Sequence, residues 1–251
     1  MIRRLFFCLA LSCLALLSQA QDVAYLIKEA EALEKAQKEE DALAKVMEAL
    51  KLSPHDVAAL SKASLLSGSI GNRQADKNKK AEYIDAARTY GEAAVLADGN
   101  DGSAHYALAS ALDLDTRNNT GKDKARGLRA VKVHVDSALL LQPGNSRAMH
   151  LLGSWHQQVT GLNPAEKASL KVLFGGLPDA SMEKAIEWME KAREADPYYV
   201  LDHLDLAKAY RTIGRSEKAI DVLNRLVKLP PRTPDDAGYK AEGRKILESL
   251  L

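Results

Sequence analysis

Cysteine is nearly missing from this chain of 251 residues: there are two, Cys8 and Cys13, and both fall in its first twenty positions. Those positions read as a secretory leader. Arg3-Arg4 is the positive start, Leu5 to Leu17 an apolar stretch, and Ser18-Gln19-Ala20 a small-x-small cleavage site before Gln21. A stretch of thirteen residues is too short to span a bilayer, which takes about 20. A lipoprotein reading of Cys13 is disfavoured by Ala10 three positions upstream and by an apolar mature start; a twin-arginine route through Arg3-Arg4 is weaker still. Cleavage after Ala20 would leave a mature chain with no thiol and no disulfide, destined for a periplasm or secretion. It would also remove two of the 35 basic residues and none of the 34 acidic ones. No basic excess then remains to hold nucleic acid or an anionic membrane surface. Aromatic residues are scarce at 5%, and no apolar segment alternates with period two, which argues against a sheet.

What is present is Ala/Glu/Lys/Leu-rich helical periodicity, and it repeats. From Val200 to Pro231, Leu206, Ala207, Tyr210, Ala219, Leu223 and Pro231 match the tetratricopeptide (TPR) pattern of a 34-residue helix–turn–helix unit, with His203 at the leading aromatic position. The small residues let two helices approach closely, and the larger apolar ones fill the space beside them. Such a unit buries its apolar face only against neighbours. Upstream, Pro54, Pro143 and Pro197 each follow a small residue by five positions at the end of a helical run. Ala93 to Asp98 repeats the phrase without proline. The boundaries define units at about 23–54, 57–98, 101–143, 146–197 and 200–231, followed by a capping helix over 234–251 that begins at Thr233-Pro234-Asp235-Asp236. The expected fold is an all-α, tetratricopeptide-like helical-repeat solenoid, one domain over 21–251. Only the last spacing is regular. The second unit carries about ten extra residues around Gly68 to Lys80, the third about eleven around Asn118 to Gly121, and the fourth about twenty over 161–181.

Catalytic and metal chemistry find no foothold. His55, His105, His134, His150, His156 and His203 make no H-E-x-x-H and have no cysteine partners. Asp113-x-Asp115-x-Arg117-Asn118 starts like a calcium loop but puts Arg117 where an oxygen ligand belongs and Asn118 where glycine is needed. Gly175-Gly176 lacks the strand before and the Lys-Ser/Thr after that a phosphate loop requires, and reads as a helix stop. No catalytic residue, metal ligand or cofactor is assigned.

Function is therefore expected on the concave face made by the first helices. Positions two, five, nine and twelve of each unit share one helical side. In the fourth unit these are Arg147, His150, Ser154 and Gln157; in the fifth, Leu201, Leu204, Lys208 and Arg211. The leucines would anchor an apolar group, and the basic side chains would receive a carboxylate or phosphate. Solvated face charges and leucines covered by the capping helix are the plainer alternative. The 161–181 insertion opens with Asn163-Pro164 and places Leu170, Leu173 and Phe174 on one side of a short amphipathic helix. It is expected to pack between the helices of its unit or, alternatively, to act as a lid over a hydrophobic ligand. The clusters Lys77 to Lys80 and Lys122 to Arg126 start second helices and read as solvated charge.

The run from Lys132 to Asn145, the following Ala148 to Trp155, the inserted Pro164-Ala165-Glu166-Lys167 and the later Ala207 to Gly214 closely resemble the TPR domain of the regulator of microtubule dynamics family. The resemblance covers most of the mature chain and includes the long insertion. It implies a TPR-like helical domain without catalytic motif; animal members are associated with microtubules and with organelle membranes. A leader of bacterial type points instead to a periplasm, where there are no microtubules, so microtubule association enters only by analogy. The expected function is a non-enzymatic adaptor that binds a protein or peptide partner on its concave face. The alternative is a carrier for a hydrophobic ligand such as a lipid.

Overall fold

The computed structural model of the protein describes residues 21–176 and 178–251; the leader read over 1–20 and residue 177 lie outside the described residues. The described residues form helices and no strands, as the sequence pattern requires. In chain order these are α1 (21–35), α2 (Glu39–Leu52), α3 (Val57–Asn72), α4 (Lys77–Ala97), α5 (Gly102–Arg117), α6 (Gly121–Leu141), α7 (Ser146–Thr160), α8 (Pro164–Phe174), α9 (Met182–Ala195), α10 (Val200–Thr212), α11 (Ser216–Leu226) and α12 (Asp236–Glu248). Consecutive helices pair as α3 with α4, α5 with α6, α7 with α9 and α10 with α11, each pair packing on the next, and α12 closes the stack against α10 and α11.

One turn recurs at four junctions. The backbone N–H of residue i+3 donates to the carbonyl of residue i at Asp56–Ser53 (3.2 Å), Asp101–Asp98 (3.3 Å), Asn145–Gln142 (3.0 Å) and Tyr199–Asp196 (3.2 Å). Pro54, Pro143 and Pro197 occupy the second position of this turn, where a fixed φ is already that required. At its end, Asp56, Asp101 and Asn145 accept from the backbone N–H three residues on, capping α3, α5 and α7. The proline phrase is thus a stop, a turn and a start in four residues.

The core is divided along the stack. Val46, Leu60 and Leu66 centre one cluster, Leu128, Trp155 and Leu170 a second, and Leu204, Tyr210 and Leu223 a third. The repeat-defining Leu206, Ala207, Tyr210, Ala219 and Leu223 are all buried, with His203 beside them. Glycine marks the closest approach between α7 and α9. A Cβ on Gly153 would lie 2.8 Å from Met189 Cγ and 2.9 Å from the carbonyl oxygen of Ala185, and the backbone oxygen has little freedom to move.

The extra residues of the second and third units do not form loops. They lengthen helices: α4 and α6 each have 21 residues, and only short turns separate α3 from α4 and α5 from α6. The Lys-, Ala- and Arg-rich content of these stretches favours helix, and Asp76 accepts from the N–H groups of Asn78 and Lys79, both at 2.9 Å. The fourth-unit insertion forms α8, closed by a capping box between Asn163 and Glu166 and by left-handed Gly175 (φ 71°). Contrary to expectation, α8 packs against α6 of the preceding unit, because α7 and α9 already touch through Gly153 and leave no space between them. Leu170 is fully buried in the second core cluster, Leu173 and Phe174 pack against it, and Glu166 accepts from the N–H of Gly121 at 3.3 Å.

The stack curves until its ends meet. Gln37 donates to the carbonyl of Pro231 at 3.5 Å. Arg73, at the end of α3, donates to Asp235 at 3.1 Å and pairs with Glu39, which also accepts from Ser69 at 3.0 Å. Both carboxylates are largely shielded from water, so loss of the guanidinium would leave them poorly compensated. Arg73→Met is expected to lower unfolding stability by about 1–2 kcal/mol, read from urea midpoints, and to increase the radius of gyration in small-angle scattering.

Candidate functional site

Because the ends meet, the inner face encloses a bore of about 350 Å³. Its wall comes from α3, α5, α7 and the start of α10, completed by Glu34 and Glu39 at one end of the chain and Asp235, Asp236 and Tyr239 at the other. Most of its lining residues are polar, with charges of both signs, interleaved with Leu65, Leu66, Leu114, Leu151 and Leu201.

Three groups organise it. Arg117 donates through Nε to Asp113 at 2.8 Å along α5, and Asp113 also accepts from Gln158 at 2.7 Å across to α7. Asp113 is buried while the Arg117 side chain remains half exposed, so the guanidinium faces water inside the bore. Next to it Arg147 stacks over the Tyr199 ring, 4.8 Å from its centroid, and shares the wall with Tyr106. Arg147 is exposed, and no carboxylate pairs with it among the described residues. Burial raises the hydroxyl pKa of both Tyr106 and Tyr199, so both stay protonated donors.

Third, His150 is buried between two acids of α10, with Nδ1 2.9 Å from Asp202 and Nε2 3.5 Å from Asp205. Burial alone would lower the imidazole pKa, but the hydrogen bonds and charges of both aspartates outweigh it and push it up to about 9. For Asp205 burial acts upward, yet His150 and then Lys208 hold the carboxyl below its usual value. Asp202 is raised by burial, and its Oδ2 has no hydrogen-bond partner. The imidazolium therefore holds α7 to α10 as an ion pair buried in the wall.

Of the residues expected on the concave face, the bore brings together Arg147, His150 and Leu201, with Ser154 in the Gln158–Arg117 contacts. Others are placed elsewhere. Gln157 does not line it; the last helical step on α7 is four residues, which brings Gln158 inward. Leu204 is fully buried in the third core cluster, and the inward position belongs to Asp205. Lys208 is bound to Glu242 of α12 at 2.8 Å, and Arg211 is exposed outside the bore. Leu170, Leu173 and Phe174 do not line the bore either, so α8 is no lid over it; its apolar face is spent on α6.

Glu39, Arg73, Tyr106, Asp113, Arg117 and Tyr199 were missed. Arg73 and Arg117 follow or end first helices of 16 residues, beyond the span that a regular unit assigns to the inner face. The available signal was Asp113 four residues before Arg117, which on a helix makes an ion pair and not a calcium loop. Among the described residues no three histidine, cysteine or acidic groups are arranged to hold a metal, and no helix is long and apolar enough to cross a membrane.

Paired antiparallel helices, a shared junction turn and a concave polar bore define an all-α helical-repeat solenoid of the TPR class. The fold is close to that of a thermophilic TPR protein of Thermus thermophilus (TM-score 0.64, 15% identity, 90% of this chain and 99% of that one). It is also similar to Pseudomonas aeruginosa pilF (TM-score 0.57, 12% identity, 93% and 90%). Residues 26–251 match the family described as regulator of microtubule dynamics protein 1-3, and the chain belongs to that family. It is 27% identical over 184 residues to regulator of microtubule dynamics protein 2 of Rattus norvegicus, covering 73% of this chain and 45% of that protein. With regulator of microtubule dynamics protein 1 of Mus musculus it shares 26% identity over 197 residues, covering 78% and 60%. The chain thus spans about half the length of these relatives.

The folded state holds the His150 proton more tightly than an unfolded chain does. Its contribution to stability is complete below the ordinary histidine value of 6.5 and is lost as pH rises through about 9. Urea midpoints measured between pH 6.5 and 9.5 are expected to fall with pH, and His150→Gln to flatten that fall.

Proposed function

We propose that the protein is a non-enzymatic adaptor that binds a protein or peptide segment along its concave face. The observation that carries this reading is Arg147, exposed in the bore with aromatic neighbours and no acid of its own, beside the half-exposed Arg117. A guanidinium in that setting is ready for a carboxylate from a partner, and a partly enclosed wall strengthens the bond. Membership in a family of helical-repeat proteins supports an interaction role. A lipid carrier with α8 as lid has less support, since α8 is committed to the core. Regulation of microtubule dynamics, for which the relatives are named, would require a cytoplasmic setting that the leader argues against.

Two outcomes test this. A displayed peptide library selected on the purified chain is expected to yield binders ending in, or rich in, carboxylates, and Arg147→Glu to weaken them at least about tenfold with unchanged circular dichroism. Binders indifferent to that change, or lipid co-purifying in native mass spectrometry, would overturn the reading. The leader is proposed to direct export: the protein recovered from a bacterial host is expected in the periplasmic fraction with Gln21 as its amino terminus.

A further inference from the structure

The two ends of the stack meet through polar contacts. The core cluster centred on Val46, Leu60 and Leu66 shares no residue with the one centred on Leu204, Tyr210 and Leu223 at the other end. The hydrogen bonds that join the ends among the described residues run from the Arg73 guanidinium to Asp235 and from the Gln37 amide to the carbonyl of Pro231. The Arg73 side chain is 24% exposed, and the Gln37 bond lies in the open at 3.5 Å. Segments held by polar contacts without shared apolar burial separate at low free-energy cost.

Gln37 carries a second mark. Its φ is 59°, and it is the one non-glycine residue with positive φ among the described residues. It ends α1 in a turn where the next N–H, of Lys38, donates to the carbonyl five residues back, Leu33, at 2.9 Å. Two other helices end the same way, with Gly176 donating to Lys171 at 2.8 Å and Arg215 to Tyr210 at 2.9 Å. There the left-handed position is filled by Gly175 (φ 71°) and Gly214 (φ 73°). Glycine suits such a position because a Cβ crowds the following carbonyl. Gly214 stands between α10 and α11 as Gln37 stands between α1 and α2. At the equivalent place the first unit keeps a strained residue, and its side chain reaches the far end of the chain. Backbone strain of this kind clusters at elements that switch between two positions.

We infer that Gln37 and Arg73 form a latch, and that the stack exchanges between a closed ring and an open crescent. In the closed form Glu39 and Asp235 complete the wall of the bore. In the open form the bore becomes a trough reached from the side, so that an internal stretch of a partner chain enters without threading an end. Small rotations at several unit interfaces suffice, since each unit of a solenoid touches only its neighbours. Glu39 and Arg73 belong to the same end of the stack, so releasing Asp235 leaves the Arg73–Glu39 pair and the Ser69–Glu39 bond in place. Asp235, already 21% exposed, then passes into water, and no buried charge is stranded. The use of the crescent for partner entry rests on the adaptor reading; the latch itself does not.

The chain has no cysteine beyond Cys13. With Cys8→Ser and Cys13→Ser, spin labels at Lys35→Cys on α1 and Arg244→Cys on α12, both exposed, read the gap between the ends by double electron–electron resonance. Two distances are expected. Raising salt from about 0.01 M to about 1 M, which cuts the screening length from about 30 Å to about 3 Å, is expected to move population from the shorter to the longer. Gln37→Gly should raise the longer-to-shorter ratio at least about threefold with a urea midpoint equal to or above that of the unaltered chain, because strain is relieved as the latch is lost. Arg73→Met should leave mainly the longer distance. A single short distance in every variant would overturn the latch. So would Gln37→Gly opening the ring only with a lowered midpoint, which would make the contact an ordinary part of the fold. A single long distance in the unaltered chain would overturn the closed ring. Two distances in a chain that captures no peptide would uphold the latch and sink the adaptor reading alone.

Discussion

Arg73 sits between Glu39 and Asp235, acids contributed by the first unit and by the entrance to the last helix. A solenoid left open at both ends would present its inner helices as a trough. Joined at this guanidinium, the same helices surround a bore whose wall carries exposed guanidinium groups beside buried acids. In that wall Asp202 and Asp205 raise the pKa of His150 against the effect of its burial, while burial keeps Tyr106 and Tyr199 protonated.

The departures from the regular repeat make the closure workable. Added turns in the second and third units extend α4 and α6 to 21 residues, with α3 and α5 at 16. The last turn of α3 delivers Ser69 and leads into Arg73; the last turn of α5 delivers Arg117. The fourth-unit insertion serves another purpose. α8 covers α6, fills the second core cluster through Leu170, and sets Phe174 beside Trp155. One inserted element thereby supports the core and borders a second concavity outside the bore.

Buried charge in the wall follows a consistent pattern. Asp113, Asp202 and Glu39 are each buried and each meets a cation from another part of the chain or one turn away. Pairs of this kind contribute little net stability after desolvation, but removing one member is costly. They fix which helices face one another, while Arg147, stacked on Tyr199, pairs with no acid among the described residues.

Much of this was legible in order along the chain. Helix periodicity, the proline turns, the capping residues Asp56, Asp101, Asn145 and Asn163, and the small residues at helix contacts are local, so the all-α repeat fold and the family resemblance could be read directly. Arg147, His150 and Leu201 do line the bore, lying near the starts of their helices where little helical drift has accumulated. Gln157 and Leu204 failed by one residue, since a position on a helical face drifts with each turn and only packing decides whether Gln158 or Asp205 points inward. The seat of α8 was illegible for a different reason: an amphipathic helix declares that it will be covered, but not by what. Which residues meet across the ring, as Arg73 meets Asp235 from 162 positions away, depends on small angles between successive units summed over the whole stack, and no local stretch of sequence carries that sum.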